Sequence, residues 1–548
     1  MTNQITLISD FNITLLGQYL KRNRSNDEVF VEPFGQLFQS LLKHCHSEYI
    51  PSTVIIWSTI EGISPNAEKM LLDPRRSIQP ALEDVHMLNE MIVQLSRVRK
   101  NVIVVSPFFR RRWGSNRLFN LRIDTGIGYL LKKSALLQAE AFSTLENVHL
   151  LDCDMWFNEC NARAFSARRW YSSKVPLTAT SMERAASDID ALMSSLEGRS
   201  KKLLILDLDN TLWGGVVGDV GWQHVLLGGN NMLGEAFLDF QEAILALKNQ
   251  GIQLAIVSKN TEDVALDVFR MNPMMQLKLE DFATWRINWE DKAKNIVEIV
   301  KEINIGLDSV VFIDDDVYER QRIKDALNHI FVPDWPEDPC DYTRALNAIS
   351  SFATPYLTEE DTRRSQMYHD QAKRLEDFRS MKSLDDWLAT LDLNVTVSYV
   401  VSSNFERVVQ LLNKTNQMNL TTRKLTALEL QEWLSDERNH LFCFEVEDKF
   451  GAYGLVGLVG CSTESNHTRI TDFVLSCRAM GKKIEEKMLE QAMAFAKEKR
   501  HSRITAEYRP TSRNRPCFDF FFAGCSSANP DITCTWEREV LSGLVVSN

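Results

Sequence analysis

The stretch Leu203-Leu-Ile-Leu-Asp207-Leu-Asp209-Asn-Thr211-Leu-Trp-Gly-Gly215 decides how this chain is read. Its four leading apolar residues are too few for a helix and predict a short strand buried on both faces. The strand delivers two carboxylates, Asp207 and Asp209, followed by the hydroxyl of Thr211 and a glycine pair that lets the loop leave. Open α/β sheets bind ligands just beyond the carboxyl ends of their strands. Two carboxylates that close repel each other unless a cation or a proton lies between them. A hard metal such as Mg2+, shared with phosphate oxygens of a substrate, resolves the repulsion. The competing reading is an acidic turn after a core strand.

The parts of a phosphoryl-transfer site follow in order. Residues 237–250 carry apolar positions at helical spacing and stop at Gly251. Ile252-Gln-Leu-Ala-Ile-Val-Ser258-Lys-Asn260 predicts a second buried strand ending in a hydroxyl, a cation and an amide. Ser258 can donate to a transferring phosphoryl oxygen, and Thr211 and Asn260 are expected to contact substrate. Asn288-Trp-Glu-Asp-Lys292-Ala-Lys294 opens a helix, and either lysine can neutralise phosphate charge. Val310-Val-Phe-Ile-Asp314-Asp315-Asp316 is a third apolar strand, ending in three acids. Asp207, Asp209, Asp314 and Asp315 are the expected metal ligands.

This order of motifs resembles the haloacid dehalogenase (HAD) superfamily, matched at Asp207/Asp209, Ser258, Lys292 and Asp314/Asp315. The resemblance implies that Asp207 attacks phosphorus to form an aspartyl-phosphate and that Asp209 is the general acid and base. Positioning and charge neutralisation carry most of phosphoryl transfer. Lys292 is preferred to Lys294 because it stands three residues after Trp289, as in closer relatives.

The 548 residues suggest three or four domains at roughly 150 residues each. A hydrophobic content of 44% with 25% charged residues is that of an ordinary globular protein. The net charge of −12 argues against nucleic acid or an anionic membrane as the main partner. It does not exclude a phosphorylated substrate, since a metal and a lysine can invert the field inside a cleft. The N-terminus lacks a signal-peptide pattern, and no run approaches the ~18 apolar residues that span a bilayer. A cytoplasmic protein is expected. The ten cysteines include no C-x-x-C, so neither disulfides nor structural zinc are implied.

Strand-like runs 5–9, 54–57, 102–106 and 148–151 alternate with helical stretches such as 81–98, a parallel α/β pattern. The predicted organisation is an N-terminal α/β domain over 1–175 and a linker helix within 176–200. A HAD-like Rossmannoid domain over 201–345, a helical connector over 346–392 and an α+β domain over 393–548 follow.

In the last of these, Tyr453-Gly-Leu-Val-Gly-Leu-Val-Gly460 reads as a glycine-interrupted strand. A further strand at 469–476 runs into Cys477-Arg478-Ala-Met-Gly481-Lys-Lys483 and a helix from about 484 to 497. Arg478, Gly481 and the helix start together form an anion cradle. The pattern resembles the pyrophosphate loop of the GNAT acyltransferases, with Lys483 where a small residue belongs. A phosphopantetheine arm demands less of such a loop than coenzyme A does.

Taken together, the chain resembles the FkbH-like proteins of polyketide assembly. The matching residues include Asp207 to Gly218, Ser258-Lys-Asn260, Asn288 to Lys292, Phe312-Ile-Asp-Asp315 and Glu319-Arg320. They continue through Lys414-Thr-Asn-Gln-Met-Asn-Leu-Thr-Thr422, Gly454-Leu-Val-Gly457 and Leu475 to Gly481. The resemblance implies an enzyme that takes the glyceryl group of 1,3-bisphosphoglycerate, a phosphorylated three-carbon substrate. It would release phosphate and load the acyl group on the phosphopantetheine of an acyl carrier protein. Asp316, where many relatives have Asn, adds charge beside the expected metal site.

The N-terminal domain resembles SGNH hydrolases, but Ser9-Asp10-Phe11-Asn12 replaces their nucleophile block and Leu151-Asp152-Cys153-Asp154 lacks their histidine. A structural or docking role is expected for it. Cys477 stands among Arg478, Lys482 and Lys483 before a helix, a setting that favours a thiolate, so it is a candidate acyl carrier; free cysteines also commonly only pack. Two other functions stay open: a plain phosphatase with water as acceptor, and a non-catalytic docking module for a carrier protein.

Overall fold

The computed structural model describes residues 3–46, 50–73, 75–110, 120–160, 164–229, 231–303, 305–352, 384–415, 417–464, 466–476, 479–511, 513–523 and 529–540. The backbone gathers into two units, Met1–Met193 with Thr426–Leu428, and Ser194–Leu425 with Glu429–Asn548. Each is an α/β body.

The first unit holds five parallel strands: β1 (Gln4–Ile8), β2 (Glu28–Val31), β3 (Ile50–Thr59), β4 (Arg99–Phe108) and β5 (Val148–Leu151). Their order is β2-β1-β3-β4-β5. Alternate residues feed opposite faces, as the period of a strand requires. Val54, Ile56, Val102 and Val104 enter a core with the helix Gln79–Ser96. Trp57 points the other way, and a register shift late in β4, where Val105 pairs with Trp57 but Phe108 with Thr59, turns Phe108 to the same side, into an aromatic cluster with Phe11 and Trp156. Beyond β1, the Asp10 carboxylate accepts hydrogen bonds from Thr59 N (2.8 Å) and Thr59 Oγ1 (2.5 Å). A Cβ on Gly62 would lie 2.2 Å from that carboxylate, so only glycine lets the helix Ile60–Ile63 approach. Burial pushes the Asp10 pKa up to about 6, against the opposing hydrogen bonds from Thr59.

The stretch expected as a linker forms the helix Ala179–Leu196. It buries Met182, Ala185, Ala186, Ile189 and Met193, an apolar stripe at helical spacing. Trp156 Nε1 donates to its Asp188 (2.7 Å), and Arg24 pairs with its Asp190 (2.9 Å). The helix is therefore packed along one face and does not cross solvent.

The second unit contains two sheets. The first is parallel, with β6 (Leu203–Leu206), β7 (Gln253–Ser258), β8 (Thr284–Ile287) and β9 (Val310–Ile313) in the order β8-β7-β6-β9. Leu204, Leu206, Leu254, Ile256, Val311 and Ile313 enter one core. Leu203, Ile205, Ala255, Val257, Val310 and Phe312 enter the core on the other face. Burial on both faces explains why these strands carry no polar alternation. The chain leaves β6 toward β7 and later returns to its other side with β9, so the topological switch point falls between β6 and β9.

The second sheet contains β10 (Asn394–Tyr399), β11 (Met418–Asn419), β12 (Asn439–Asp448), β13 (Gly451–Glu464), β14 (His467–Leu475), β15 (Arg503–Tyr508) and β16 (Cys534–Glu539). Its order is β10-β12-β13-β14-β15-β16, antiparallel except for the parallel pair β14/β15. That pair is joined only from His467–Ile470 to Arg503–Ala506. Past it, residues 418–420 take the edge of β14. Met418 pairs with Leu475, Asn419 with Val474, and Leu420 N donates to Phe473 O (3.2 Å). Arg509 N, just after β15, donates to Leu420 O (3.0 Å). Fully buried Asn514 donates to Asn419 O (3.0 Å), and Arg423 Nε donates to buried Asp472 (3.1 Å). The wedge is fastened at both ends.

Candidate active site

The register of β6 and β9 builds the site. Leu206 pairs with Ile313, so the next residues, Asp207 and Asp314, emerge side by side, and Asp207 N donates to Ile313 O (3.1 Å). Asp207, Asp314 and Asp315 each offer a carboxylate oxygen within 4.8 Å of the others. Between two of them lies Lys292, whose Nζ is 2.6 Å from Asp314 Oδ2 and 3.2 Å from Asp207 Oδ1. Lys292 is 4% exposed and Asp314 0%. Burial alone would lower the lysine pKa, but Asp207 and Asp314 outweigh it and raise it. Burial, then repulsion from Asp207, pushes Asp314 up against the pull of Lys292. The same two causes push Asp315 up to about 6.

One ammonium against three clustered carboxylates, two of them buried, leaves the cluster short of positive charge. Among the described residues, Asp207 Oδ1 is buried without a hydrogen-bond partner, and Lys292 Nζ stands 3.2 Å from it. Oxygen donors, excess negative charge and an unsatisfied buried oxygen fit a hard divalent cation such as Mg2+.

The other carboxylate of the first motif is held apart. Asp209 Oδ1 accepts from Trp213 Nε1 (2.9 Å) and Val217 N (3.0 Å), and Oδ2 accepts from Asn260 Nδ2 (2.9 Å). It is not among the three clustered carboxylates. Burial raises its pKa, opposed by the bonds from Val217 and Trp213. Thr211 and Asn260, read from sequence as substrate contacts, are 0% and 5% exposed and bond to acids of the site. Thr211 Oγ1 donates to Asp315 Oδ1 and accepts from Asp315 N, both at 3.2 Å. Ser258 ends β7 at 2% exposure, its carbonyl accepting from Asn288 N (3.1 Å).

The helix carrying Lys292 starts at Lys292, four residues later than Asn288. Asp291 supplies the reason: its Oδ1 accepts from Ala293 N (2.8 Å), as a capping residue does. The side chains of Asn288 and Asn295 bond to each other and fix the loop ahead of it. Lys294 points away and pairs with Glu290 at 2.6 Å, 60% exposed. Asp316 caps the helix Val317–Ala326 by accepting from Tyr318 N (2.7 Å), a task an asparagine performs equally. It lies outside the carboxylate cluster. Arg320, quoted from sequence only as part of a match, is a positioning residue: buried, it donates to the carbonyls of Asp314 (2.8 Å) and Asp315 (2.6 Å). An arginine one helical turn after a strand-end acid run was the available signal.

In the second sheet, Cys477 and Arg478 lie outside the described residues. Gly481 adopts φ +74° and Lys483 φ +60°, a left-handed turn into the helix Ile484–Glu498. Burial raises the pKa of Glu485 in the first turn of that helix, opposed in part by the amide of Gly481, read from sequence as part of an anion cradle. Lys482 is buried with its ammonium 5.3 Å from the centre of the Tyr453 ring. Cys517 is buried, and burial raises its pKa.

No protein-family model matches the chain, and no curated protein matches it. Among solved structures, it is similar to the N-terminal part of the protein BF1531 from Bacteroides fragilis, which contains a phosphatase domain and is complexed with Mg. The identity is 27%, the TM-score 0.59, and the match covers 65% of this chain and 95% of that one. Local likenesses extend to a putative phosphinothricin N-acetyltransferase at 16% identity, TM-score 0.21, over 27% of this chain and 99% of that one. A ribosomal-protein-S18-alanine N-acetyltransferase from Escherichia coli matches at 7% identity, TM-score 0.21, over 27% and 94% respectively.

Proposed function

We propose that the chain is a Mg2+-assisted enzyme of the FkbH-like kind, which releases phosphate from an acyl phosphate and passes the acyl group to a carrier-protein thiol. The observation that carries this reading is Lys292, buried between Asp207 and Asp314 at the switch point of a parallel sheet. A phosphatase-domain structure complexed with Mg at 27% identity supports it. Asp207, Asp314 and Asp315 would hold the metal, which would supply charge neutralisation for phosphate oxygens. Lys292 adds a fixed cation beside them, and Ser258 a hydroxyl donor.

The acyl phosphate of 1,3-bisphosphoglycerate has two bonds that can break, and they lead to different products. If a thiolate attacks the carbonyl carbon, the C–O bond breaks, a thioester forms and phosphate leaves with the bridging oxygen. The thiolate belongs either to Cys477 or to the phosphopantetheine of the carrier. If Asp207 attacks phosphorus, the P–O bond breaks and the acyl group departs as a carboxylate, which cannot form a thioester without further activation. Water then releases phosphate from Asp207, with Asp209 as general base. That second outcome is a plain phosphatase, and the Asp207 carboxylate at the end of β6, its buried Oδ1 paired with Lys292 but without a hydrogen bond, favours it.

Turnover in 18O-labelled water separates the two. Acyl transfer leaves the phosphate from the acyl end unlabelled while carrier gains one acyl mass. The phosphatase route puts one labelled oxygen into that phosphate and leaves carrier unchanged. Hydrolysis of the 3-phosphate, which loading of glyceryl in place of 3-phosphoglyceryl requires, adds a second, labelled phosphate. Incubation without carrier tests Cys477: a hydroxylamine-labile acyl adduct mapped to it, and absent from Cys477→Ser, assigns the intermediate there. An Arg478→Ala variant that loads carrier normally at every carrier concentration overturns the cradle.

A further inference from the structure

The described cations around the carboxylate cluster are all paired, but not in the same way. Lys292 is buried against Asp207 and Asp314. Arg320 donates to the carbonyls of Asp314 and Asp315. Arg322 pairs with Asp291 (3.0 Å), and Lys294 with Glu290 (2.6 Å). Lys259 is placed differently. Its two neighbours in the chain, Ser258 and Asn260, are buried in the site, which fixes its backbone at the carboxyl end of β7. Its side chain is 41% exposed and reaches Glu319, 2.6 Å away in the first turn of the helix Val317–Ala326. Glu319 stands in the helix that directly follows Asp314 and Asp315 at the end of β9. The Lys259–Glu319 pair therefore joins the carboxyl ends of β7 and β9, the two strands that flank β6 and its Asp207.

The geometry points to Lys259 as a substrate-recognition residue that binds a second anionic group, a phosphate or carboxylate, at the far end of the phosphorylated substrate. The inference rests on the phosphoryl-site reading and narrows it to doubly anionic substrates. A half-exposed ion pair is weakly held, because solvent screens it and both side chains lose freedom in forming it. An incoming phosphate offers Lys259 a doubly charged partner in place of the single charge of Glu319. The exchange also keeps the pair closed when no substrate is present. Glu319 then sets selectivity by its charge: it repels anions that do not engage Lys259, as a repulsive element must for discrimination.

The test compares 1,3-bisphosphoglycerate, anionic at both ends, with acetyl phosphate, anionic at one. Lys259→Met is expected to lower the ratio of kcat/KM between the two at least tenfold, chiefly through KM for the first. Glu319→Gln is expected to raise turnover of acetyl phosphate relative to wild type. Calorimetric binding of 3-phosphoglycerate with Mg2+ present supplies a readout that needs no turnover: wild type binds, and Lys259→Met binds at least tenfold more weakly. Equal substrate ratios and equal binding in wild type and Lys259→Met overturn the assignment while leaving the phosphoryl site standing. If wild type turns over neither acyl phosphate, the phosphoryl reading fails; the binding comparison then decides Lys259 by itself, and no binding by wild type overturns it.

Discussion

Lys292 Nζ lies 2.6 Å from Asp314 Oδ2 where neither side chain reaches solvent. Removing one partner of a buried pair strands the other charge and costs roughly 3–5 kcal/mol. Lys292→Met is therefore expected to destabilise the metal-free chain by about that amount, with Mg2+ restoring part of the loss. Phosphate release should fall by at least ~100-fold, the scale of losing one preorganised charge. Urea unfolding with and without Mg2+, alongside phosphate release, checks both. A variant as stable as wild type without metal would contradict the buried pairing.

Asp207→Asn keeps the shape of the side chain but removes the charge that a metal and a phosphoryl group would require. Phosphate release is expected to fall at least ~1000-fold while the circular dichroism spectrum is unchanged. Chelation of Mg2+ should stop wild-type turnover, and re-addition should restore it. Full activity in Asp207→Asn would remove the site from this strand end.

Asp10 makes stability depend on pH. Its folded pKa of about 6 lies above the ordinary 3.8, so the folded chain holds this proton more tightly than the unfolded chain. The contribution is fully present below about pH 4 and is lost as pH rises through about 6, a change on the order of 3 kcal/mol. Asp10→Asn keeps an acceptor for Thr59 N and gains a donor for its hydroxyl. Thermal melts of the variant from pH 4 to 8 are expected to lack the downward slope that Asp10 gives wild type. Identical slopes would show that Asp10 stays ionised throughout.

Arg423 donates to Asp472, which is 1% exposed on β14. Arg423→Leu is expected to cost roughly 3 kcal/mol by leaving that carboxylate unpaired. Hydrogen exchange at residues 418–420 should quicken with it. Adding Asp472→Asn should recover part of the stability, and its failure to do so would mean that the pair does not fasten the wedge.

Much of the carboxylate cluster was legible because parallel strands buried on both faces leave a plain mark. Leu203–Leu206 and Val310–Ile313 are uninterrupted apolar runs, and acids that follow such runs are placed at strand ends by topology alone. The partners that hold those acids were not legible. Asn260 bonding to Asp209 and Thr211 bonding to Asp315 join residues 51 and 104 positions apart, and no local periodicity reports that distance. Helix starts slipped for a nearby reason: Asn231 caps Met232–Asn249 through Leu233 N and Gly234 N, moving its start five residues ahead of the apolar spacing at 237. Asp291 moves the next start the other way. The strip 418–420 is too short and too polar to predict as a strand, since its pairing depends on a gap that two later strands leave.

That strip has a consequence for how the chain folds. β14 completes its outer edge only with residues that were synthesised some 55 positions earlier, and Leu420 is in turn closed by Arg509, 89 positions later. Contacts this remote in sequence must wait for large loops to close, which slows assembly. Neither the segment ahead of β12 nor the segment after the helix Ile484–Glu498 can settle alone. The second sheet should therefore acquire its structure in one late cooperative step, and a nascent chain that has not yet emerged past Arg509 has a sheet whose middle strand is still open to other partners.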